Sequence, residues 1–593
     1  MKNLFYLNKY ILKYKWHFLT GTIFVAISVV FGIFPAQYIR NSFDKVEEVI
    51  QLYQKGNAID YTSIGSVLAW YAAVIVGASL LKGAFTFFMR QTIIVASRRI
   101  EYDLKNEIFN HYLLLDQGFY RSNSTGDLMN RISEDVSRVR MYIGPAVMYG
   151  INVFITLAIV IPIMYSISPK LTVYVLLPLP VLSFLIYKVS RRINERSEAV
   201  QRKLSDLSTL AQETFSGIRV IKAFSKEHFF TDLFSEESAD YSRINERLYR
   251  VNALFMPLVM FLIGLSTLIT VYIGGLETLS GNLTTGNIAE FILYVNMLTW
   301  PVTSIGWVTS IVQRAEASQK RINEFLQTKP NISNPTKESF EFKGKIEFRE
   351  VTFIYPDSGV KALDKVSFVI EPGSTVGIVG KTGTGKSTIA ALILRQYDPT
   401  EGIVLADDRD LRTINLENYR KAIGAVPQDS YLFSDSLFNN IGFGLDTAEE
   451  EIIYTSAELA DLADNIKDFP LAYQTRVGER GITLSGGQKQ RTALARAIAR
   501  NPVLYILDDC LSAVDTETED RILKNLRSLT ENTTAVIISH RISSVKDADQ
   551  ILVLDQGKII EQGTHEQLIA KGGLYAELYI QQTQSANVEA DLN

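Results

Sequence analysis

The chain has one cysteine, five histidines and no excess of basic residues: 60 Lys and Arg stand against 64 Asp and Glu, a formal charge of -4 over 593 residues. Each shortage closes a class of function. Cys510 alone cannot form an intrachain disulfide, and histidines without metal-ligand spacing give no zinc site. Balanced charge leaves no electrostatic footprint for nucleic acid, so no DNA or RNA partner is expected. The opening MKNLFYLNKYILKYKWH is basic and aromatic but lacks a small-residue cleavage pattern, and is not read as a cleaved signal peptide.

What the chain does have is long apolar runs, confined to its first part. Runs of roughly 20 apolar residues, enough to cross ~30 Å of hydrocarbon as helix, lie near 18–39, 64–88, 142–166, 170–189, 253–277 and 288–312. Six spans are expected. The interval 90–140 carries eight Lys or Arg and 191–250 carries eleven, whereas LSGNLTTGN carries none and 40–62 carries three against four acids. The positive-inside rule then places both termini and the two long intervals in the cytosol, with the chain multi-pass in the cell membrane, inner or plasma. Each long interval is rich in helix formers and broken near its middle, at DQGFYRSNSTGD and at FSGIRV. They read as helical hairpins reaching beyond the membrane, and such hairpins have little core of their own and need a surface to dock on.

After a polar, Pro-containing linker the pattern changes to short strands alternating with helices. STVGIVG runs into GKTGTGKST and then IAALILRQY, which is G-x-x-x-x-G-K-[ST] in its strand, loop and helix context. Gly380, Lys381, Thr382, Gly383, Thr384, Gly385 and Thr388 belong to a loop whose N–H groups form an anion nest. Lys386 is placed to meet β- and γ-phosphates, and Ser387 to ligate Mg2+. LYILD sets Asp508 at a strand end as a further Mg2+ ligand. Gln428 follows another strand, within reach of the metal and an attacking water. His540 ends a further strand, on the edge where open parallel sheets place ligands. ATP and Mg2+ are the expected cofactors.

LSGGQKQRTALARAI, residues 484–498, resembles the signature motif of ATP-binding cassette (ABC) proteins, and it stands in that family's order between the phosphate loop and LYILDD. FIYPDSG resembles the aromatic loop, which makes Tyr355 the adenine-stacking residue. SAVD (Ser512, Ala513, Val514, Asp515) resembles the D-loop. FYRSNSTGDLMNRISEDV and ETFSGIRVIKAFSKE are similar to the cytosolic coupling segments of exporter-type transporters. The resemblance covers nearly the whole chain. It implies an α-helical transmembrane domain of six helices with long cytosolic extensions (1–326), a linker (327–342), an α/β P-loop nucleotide-binding domain (343–582) and a polar tail (583–593). It also implies that cassettes pair head to tail, with Leu484, Ser485, Gly486, Gly487 and Gln488 serving a partner's nucleotide.

One departure from the family stands out. The family places Glu after the metal-binding Asp, where it orients the attacking water; this chain has Asp509, which keeps the charge but withdraws it by one methylene, roughly 1.5 Å, and misplacement on the order of 1 Å costs about 10²-fold in rate. MgATP binding is expected to survive and hydrolysis at this chain's own site to be slow. With an intact LSGGQ, the pattern is similar to the degenerate-site subunit of heterodimeric ABC exporters, the partner supplying Glu; a slow homodimer is the alternative.

The cargo is not written in the residues. The family suggests amphipathic or hydrophobic compounds, as in a multidrug pump; a lipid flippase, an ATP-gated channel or a regulatory membrane protein of the same architecture are the alternatives, and direction is not visible. Glu290 and Lys82 are ionisable groups near apolar runs, each either functional or snorkelling at a boundary.

Overall fold

The computed structural model describes residues 2–56, 60–478, 481, 483–530 and 533–592. It divides into two compact units: Met1–His111 with Gly126–Thr328, and Tyr112–Thr125 with Lys329–Asn593. The first hairpin tip therefore belongs to the unit that carries the phosphate loop.

The first unit is helical. Five stretches among the described residues are long and apolar enough to cross a membrane: Lys15–Gln54, Tyr61–Leu114, Thr125–Ile167, Glu227–Leu279 and Thr285–Gln327. The remaining expected run, the fourth at 170–189, is helical but broken at Leu177 between Pro169–Leu176 and Pro178–Ser216. Proline has no N–H to continue the ladder, and its ring crowds the preceding turn. The helix Tyr61–Leu114 has 54 residues, about 80 Å at 1.5 Å per residue. That is far more than the ~30 Å of hydrocarbon, so these helices extend well past the apolar layer, as the basic intervals suggested.

Both expected hairpin breaks are present. In the first, Asp116 accepts a hydrogen bond from the Phe119 N–H at 3.2 Å and caps the six-residue helix Gln117–Ser122. In the second, Gly217 separates Pro178–Ser216 from the short helix Ile218–Ala223. Pro301 lies inside Thr285–Gln327 without ending it.

Glu290 does not snorkel. It is fully buried, 3.1 Å from the Arg40 guanidinium, and accepts a 2.6 Å hydrogen bond from the Tyr294 hydroxyl. Lys82 is exposed on its helix.

The second unit holds two sheets. Strands β1 (Ile346–Ile354), β2 (Lys361–Ile370), β4 (Glu401–Ala406) and β5 (Arg409–Asp410) form an antiparallel sheet in the order β2-β1-β4-β5. The other sheet runs β10-β9-β3-β8-β7-β6, from β3 (Thr375–Gly380), β6 (Ile423–Val426), β7 (Leu504–Asp508), β8 (Thr534–Ile538), β9 (Gln550–Asp555) and β10 (Lys558–Gly563). All its pairings are parallel except the edge strand β10. The sequence dictates this arrangement. TVGIVG and LYILD are nearly continuous apolar runs, the pattern of strands covered on both faces, and every residue of β7 is buried. The core gathers Val376, Ile378, Leu504, Ile506, Val536 and Ile538 with Ile389, Leu392 and Ile393 of the helix Lys386–Ile393.

Candidate nucleotide site

Register decides where the strand ends fall. Ile538 of β8 lies opposite both Ile378 of β3 and Asp508 of β7, and β6 runs parallel beside β7. The carboxyl ends of four strands thus finish along one edge, where open α/β sheets bind ligands. A cavity of about 260 Å³ opens there, lined by Tyr355, Thr382, Gly383, Gly385, Lys386, Ser387, Thr388, Gln428, Asp508, Asp509 and His540. Residues dispersed over 186 positions of sequence, from 355 to 540, meet in one place.

The loop's glycines answer to space as well as to φ. Gly385 has φ +98°, and a Cβ on it would stand 2.3 Å from the Ala362 carbonyl oxygen. Only glycine closes the turn there. The helix Lys386–Ile393 begins at this residue, so its unpaired N–H groups open onto the loop. The Lys386 ammonium donates to the carbonyl oxygens of Gly380 and Lys381, both at 2.8 Å, and Thr384 donates to Lys381 at 2.9 Å. Burial holds the Lys386 ammonium below the ordinary lysine range, against the opposing pull of Asp509 and Asp508. A polyanion entering the cavity would favour the charged ammonium and offset that desolvation.

Asp508 is 7% exposed. Burial pushes its carboxyl above the usual carboxylate range; the Ser387 hydrogen bond works the other way, and the Asp509 charge reinforces the rise. The two carboxylates are not equivalent. Asp509 has φ +49°, its N–H donates to the Ile538 carbonyl at 2.8 Å, and its carboxylate lies 2.7 Å from His540 Nδ1. An ionised carboxylate can only accept, so Nδ1–H donates and the ring orientation is fixed by Asp509. His540 is half exposed, Asp509 only 15%.

The Tyr355 hydroxyl is 3.0 Å from the Thr388 hydroxyl, which fixes the ring at the cavity rim. The signature residues 484–488 are absent from this cavity's lining. Ser485 instead caps the helix Gly486–Ala499: its hydroxyl accepts from the Gln488 N–H at 3.2 Å, while the Gln488 amide oxygen accepts from the Ser485 N–H at 3.0 Å. Leu484 and Gly487 are buried, whereas Ser485 and Gly486 are exposed. A Cβ on Gly487 would lie 2.8 Å from the Ala513 carbonyl oxygen, so the signature helix sits directly against the D-loop.

Sequence reasoning missed the residue that ties those two loops together. Gln490, 8% exposed, donates to the Ser512 hydroxyl at 3.0 Å and accepts from the Ala513 N–H at 3.0 Å. Asp515 in turn accepts from the Thr518 N–H at 2.9 Å, starting the next helix. The available signal was a second polar residue inside an otherwise buried helical face.

A larger cavity of about 750 Å³ in the same unit is lined by Arg395, Arg420, Arg496 and Arg500. Its charges are already engaged: Arg420 donates to the carbonyls of Leu394 and Arg395, Arg496 to those of Asn440 and Tyr431, and Arg500 to that of Lys421. Burial pulls Arg496 down to about 10. These bonds hold polypeptide together, and none of the phosphate-loop residues lines this cavity, so the smaller cavity is the chemical one.

Two family models match, the ABC transporter transmembrane region over residues 17–302 and the ABC transporter domain over 363–512. The chain is 34% identical to the multidrug resistance-like ATP-binding protein MdlA of Escherichia coli, covering 92% of this chain and 93% of that one. It is 36% identical to the probable multidrug resistance ABC transporter ATP-binding/permease protein YheI of Bacillus subtilis, over 89% and 91%. An ATP-dependent lipid A-core flippase of Aromatoleum aromaticum is 33% identical over 81% and 80%. Among solved structures, a bacterial Atm1-family ABC exporter with ATP bound superposes with a TM-score of 0.76 at 26% identity, over 97% of this chain and 98% of that one. With a helical membrane unit, a phosphate-loop cavity at the edge of a parallel sheet and relatives matched over 80–93% of their lengths, this chain belongs to the ABC transporter family as an exporter half, an ATPase coupled to transport across a membrane.

Proposed function

We propose that the chain exports amphipathic or hydrophobic compounds as one half of a heterodimer, in which its own ATP site turns over slowly and its signature completes the partner's site. Asp509 carries this reading. Its carboxylate is one methylene short of the family's Glu and is held by His540 at 2.7 Å, so it stands back from the position of an attacking water. The exposed Ser485 and Gly486, which do not line the chain's own cavity, supply a hydroxyl and helix-start N–H groups suited to a γ-phosphate held by another cassette.

Within the site, Tyr355 stacks adenine, Lys386 meets the β- and γ-phosphates, and the loop N–H groups surround them. Ser387, Gln428 and Asp508 offer a hydroxyl, an amide oxygen and a carboxylate, a hard donor set that fits Mg2+. Among the described residues no three His, Cys, Asp or Glu gather into a metal cage; Mg2+ bound to ATP needs none, since it takes phosphate oxygens and water for the rest. When bound it neutralises charge on the phosphates. ATP favours the closed pair of cassettes by binding that state more tightly, and hydrolysis at the competent site resets it.

The test is ATP turnover by the purified chain alone. Little hydrolysis is expected, and in the assembled transporter with the partner's own site disabled Asp509→Glu should raise turnover by about 10²-fold. Robust turnover by the unaltered chain, abolished by Lys386→Ala, would overturn the slow-site reading. The relatives' printed functions also support a lipid as cargo. Reconstituted vesicles separate the two: movement of labelled lipid without uphill dye movement favours a flippase.

A further inference from the structure

Arg121 lies in the first hairpin tip, in the helix Gln117–Ser122, and its chain neighbours pack within the unit that carries the nucleotide cavity. Its guanidinium stands over the Tyr355 ring, 4.3 Å from the centroid, and pairs with Asp357 at 2.8 Å. Arg121 is absent from the lining of the nucleotide cavity, whereas Tyr355 is part of it. Arg121 thus holds the ring without itself lining the cavity.

The rest of the tip is fitted to the same place. The Asp116 carboxylate accepts from the Asn331 N–H at 2.6 Å as well as capping its own helix. A Cβ on Gly118 would lie 3.7 Å from the Tyr397 ring, which meets Tyr355 edge to face at 5.7 Å. Tyr355 is thus fixed by Thr388 at its hydroxyl, by Tyr397 at its edge and by Arg121 over its face.

We infer that Arg121 is a positioning residue for nucleotide recognition: it backs the adenine platform, so that a purine on the open side completes a stack of guanidinium, phenol ring and base. A cation on one face of a ring both fixes its tilt and is itself held by the ring's negative quadrupole. The tip is covalently continuous with the helix Tyr61–Leu114 on one side and with Thr125–Ile167 on the other. Asp357 belongs to the same device, because it holds the guanidinium over the ring.

The inference rests on Tyr355 as the adenine platform, and the experiment separates the two. MgATP and MgUTP affinities are measured on the full chain in detergent, in unaltered, Tyr355→Ala, Arg121→Ala, Arg121→Lys and Asp357→Asn forms. Arg121→Ala should weaken MgATP by about three- to tenfold and leave MgUTP, whose smaller base stacks less, within about twofold, so that the ATP-to-UTP preference falls. Arg121→Lys should restore part of that preference, and Asp357→Asn should reduce it in the same direction. Equal weakening of both nucleotides in Arg121→Ala, or no weakening of MgATP, overturns the role of Arg121. An unchanged preference in Tyr355→Ala overturns the platform reading itself.

Discussion

At the scale of single residues, the environment of each side chain decides its chemistry more than its type does. Asp508 and Asp509 are neighbours of identical composition, yet one is buried beside Ser387 and the other is turned by a left-handed backbone toward His540. The next residue makes the point testable. Cys510 is buried, and burial pushes its thiol up to about 12, with the backbone hydrogen bond opposing and the adjacent acids adding to the rise. The thiolate is the reactive form, and its formation is disfavoured wherever the thiol cannot be solvated. Iodoacetamide should leave the native chain unlabelled from pH 7 to pH 10, whereas an ordinary thiol with a pKa near 8.5 would gain reactivity through that range. Full labelling should follow denaturation, read by intact mass; native labelling that rises through pH 8.5 would show that the segment opens. The phosphate loop was legible in sequence because its requirement is local: glycines at fixed spacing, one lysine and one hydroxyl in consecutive residues. The 2.7 Å contact of Asp509 with His540 was not, because it depends on how β7 and β8 align across 31 positions.

At the scale of elements, the membrane unit shows what periodicity conceals. The apolar runs were readable, but the partner of Glu290 lies 250 positions away in the helix Lys15–Gln54. The carboxylate is fully buried, the guanidinium 30% exposed, and the Tyr294 hydroxyl supplies the carboxylate's other hydrogen bond. Removing Arg40 leaves the fully buried Glu290 carboxylate without its ion partner, at a cost of roughly 3 kcal/mol, while replacing both with apolar groups is often close to neutral; Arg40, partly exposed and also bonded to Asn41, loses less when Glu290 is removed. Arg40→Met and Glu290→Leu should each lower the unfolding temperature in detergent, and the double variant should recover most of the loss. Additive losses in the double variant would mean that the pair contributes no coupling. The same geometry explains why the sequence left Glu290 undecided between a functional and a snorkelling residue: a boundary position and a buried one look alike until the facing helix is placed. The fourth apolar run, expected as one span, departs for a different reason: Pro178 and Pro180 interrupt a hydrophobic stretch whose composition alone reads as continuous.

At the scale of the whole molecule, the two hairpin tips differ in a way that bears on pairing. The first is fixed by Asp116, Gly118 and Arg121 to the cassette of its own chain. The second, between the mutually packed helices Pro178–Ser216 and Glu227–Ala253, presents Phe215, Val220 and Phe224 at 74%, 61% and 72% exposure, with only Ile221 buried in the short helix between them. Three large apolar groups at a tip beyond the membrane segments are costly to leave in water, each about 1.5–3 kcal/mol when fully buried, and clustered exposure of this kind marks an interaction site. The exposed Ser485 and Gly486 of the signature likewise lie outside the lining of their own chain's cavity. Both features are accounted for if the second tip seats on the cassette of a partner half, so that one chain's membrane helices respond to closure of the other's ATP site. Because Val220 and Phe224 are exposed, Val220→Asp and Phe224→Asp should leave the unfolding temperature and MgATP affinity of the chain within error. In vesicles holding the assembled transporter they should nevertheless abolish ATP-driven movement of dye or lipid, and ATP turnover should no longer respond to the transported compound. Transport that persists in the double variant would show that the second tip does not carry the coupling, whereas loss of MgATP binding would place these residues in the fold of the chain.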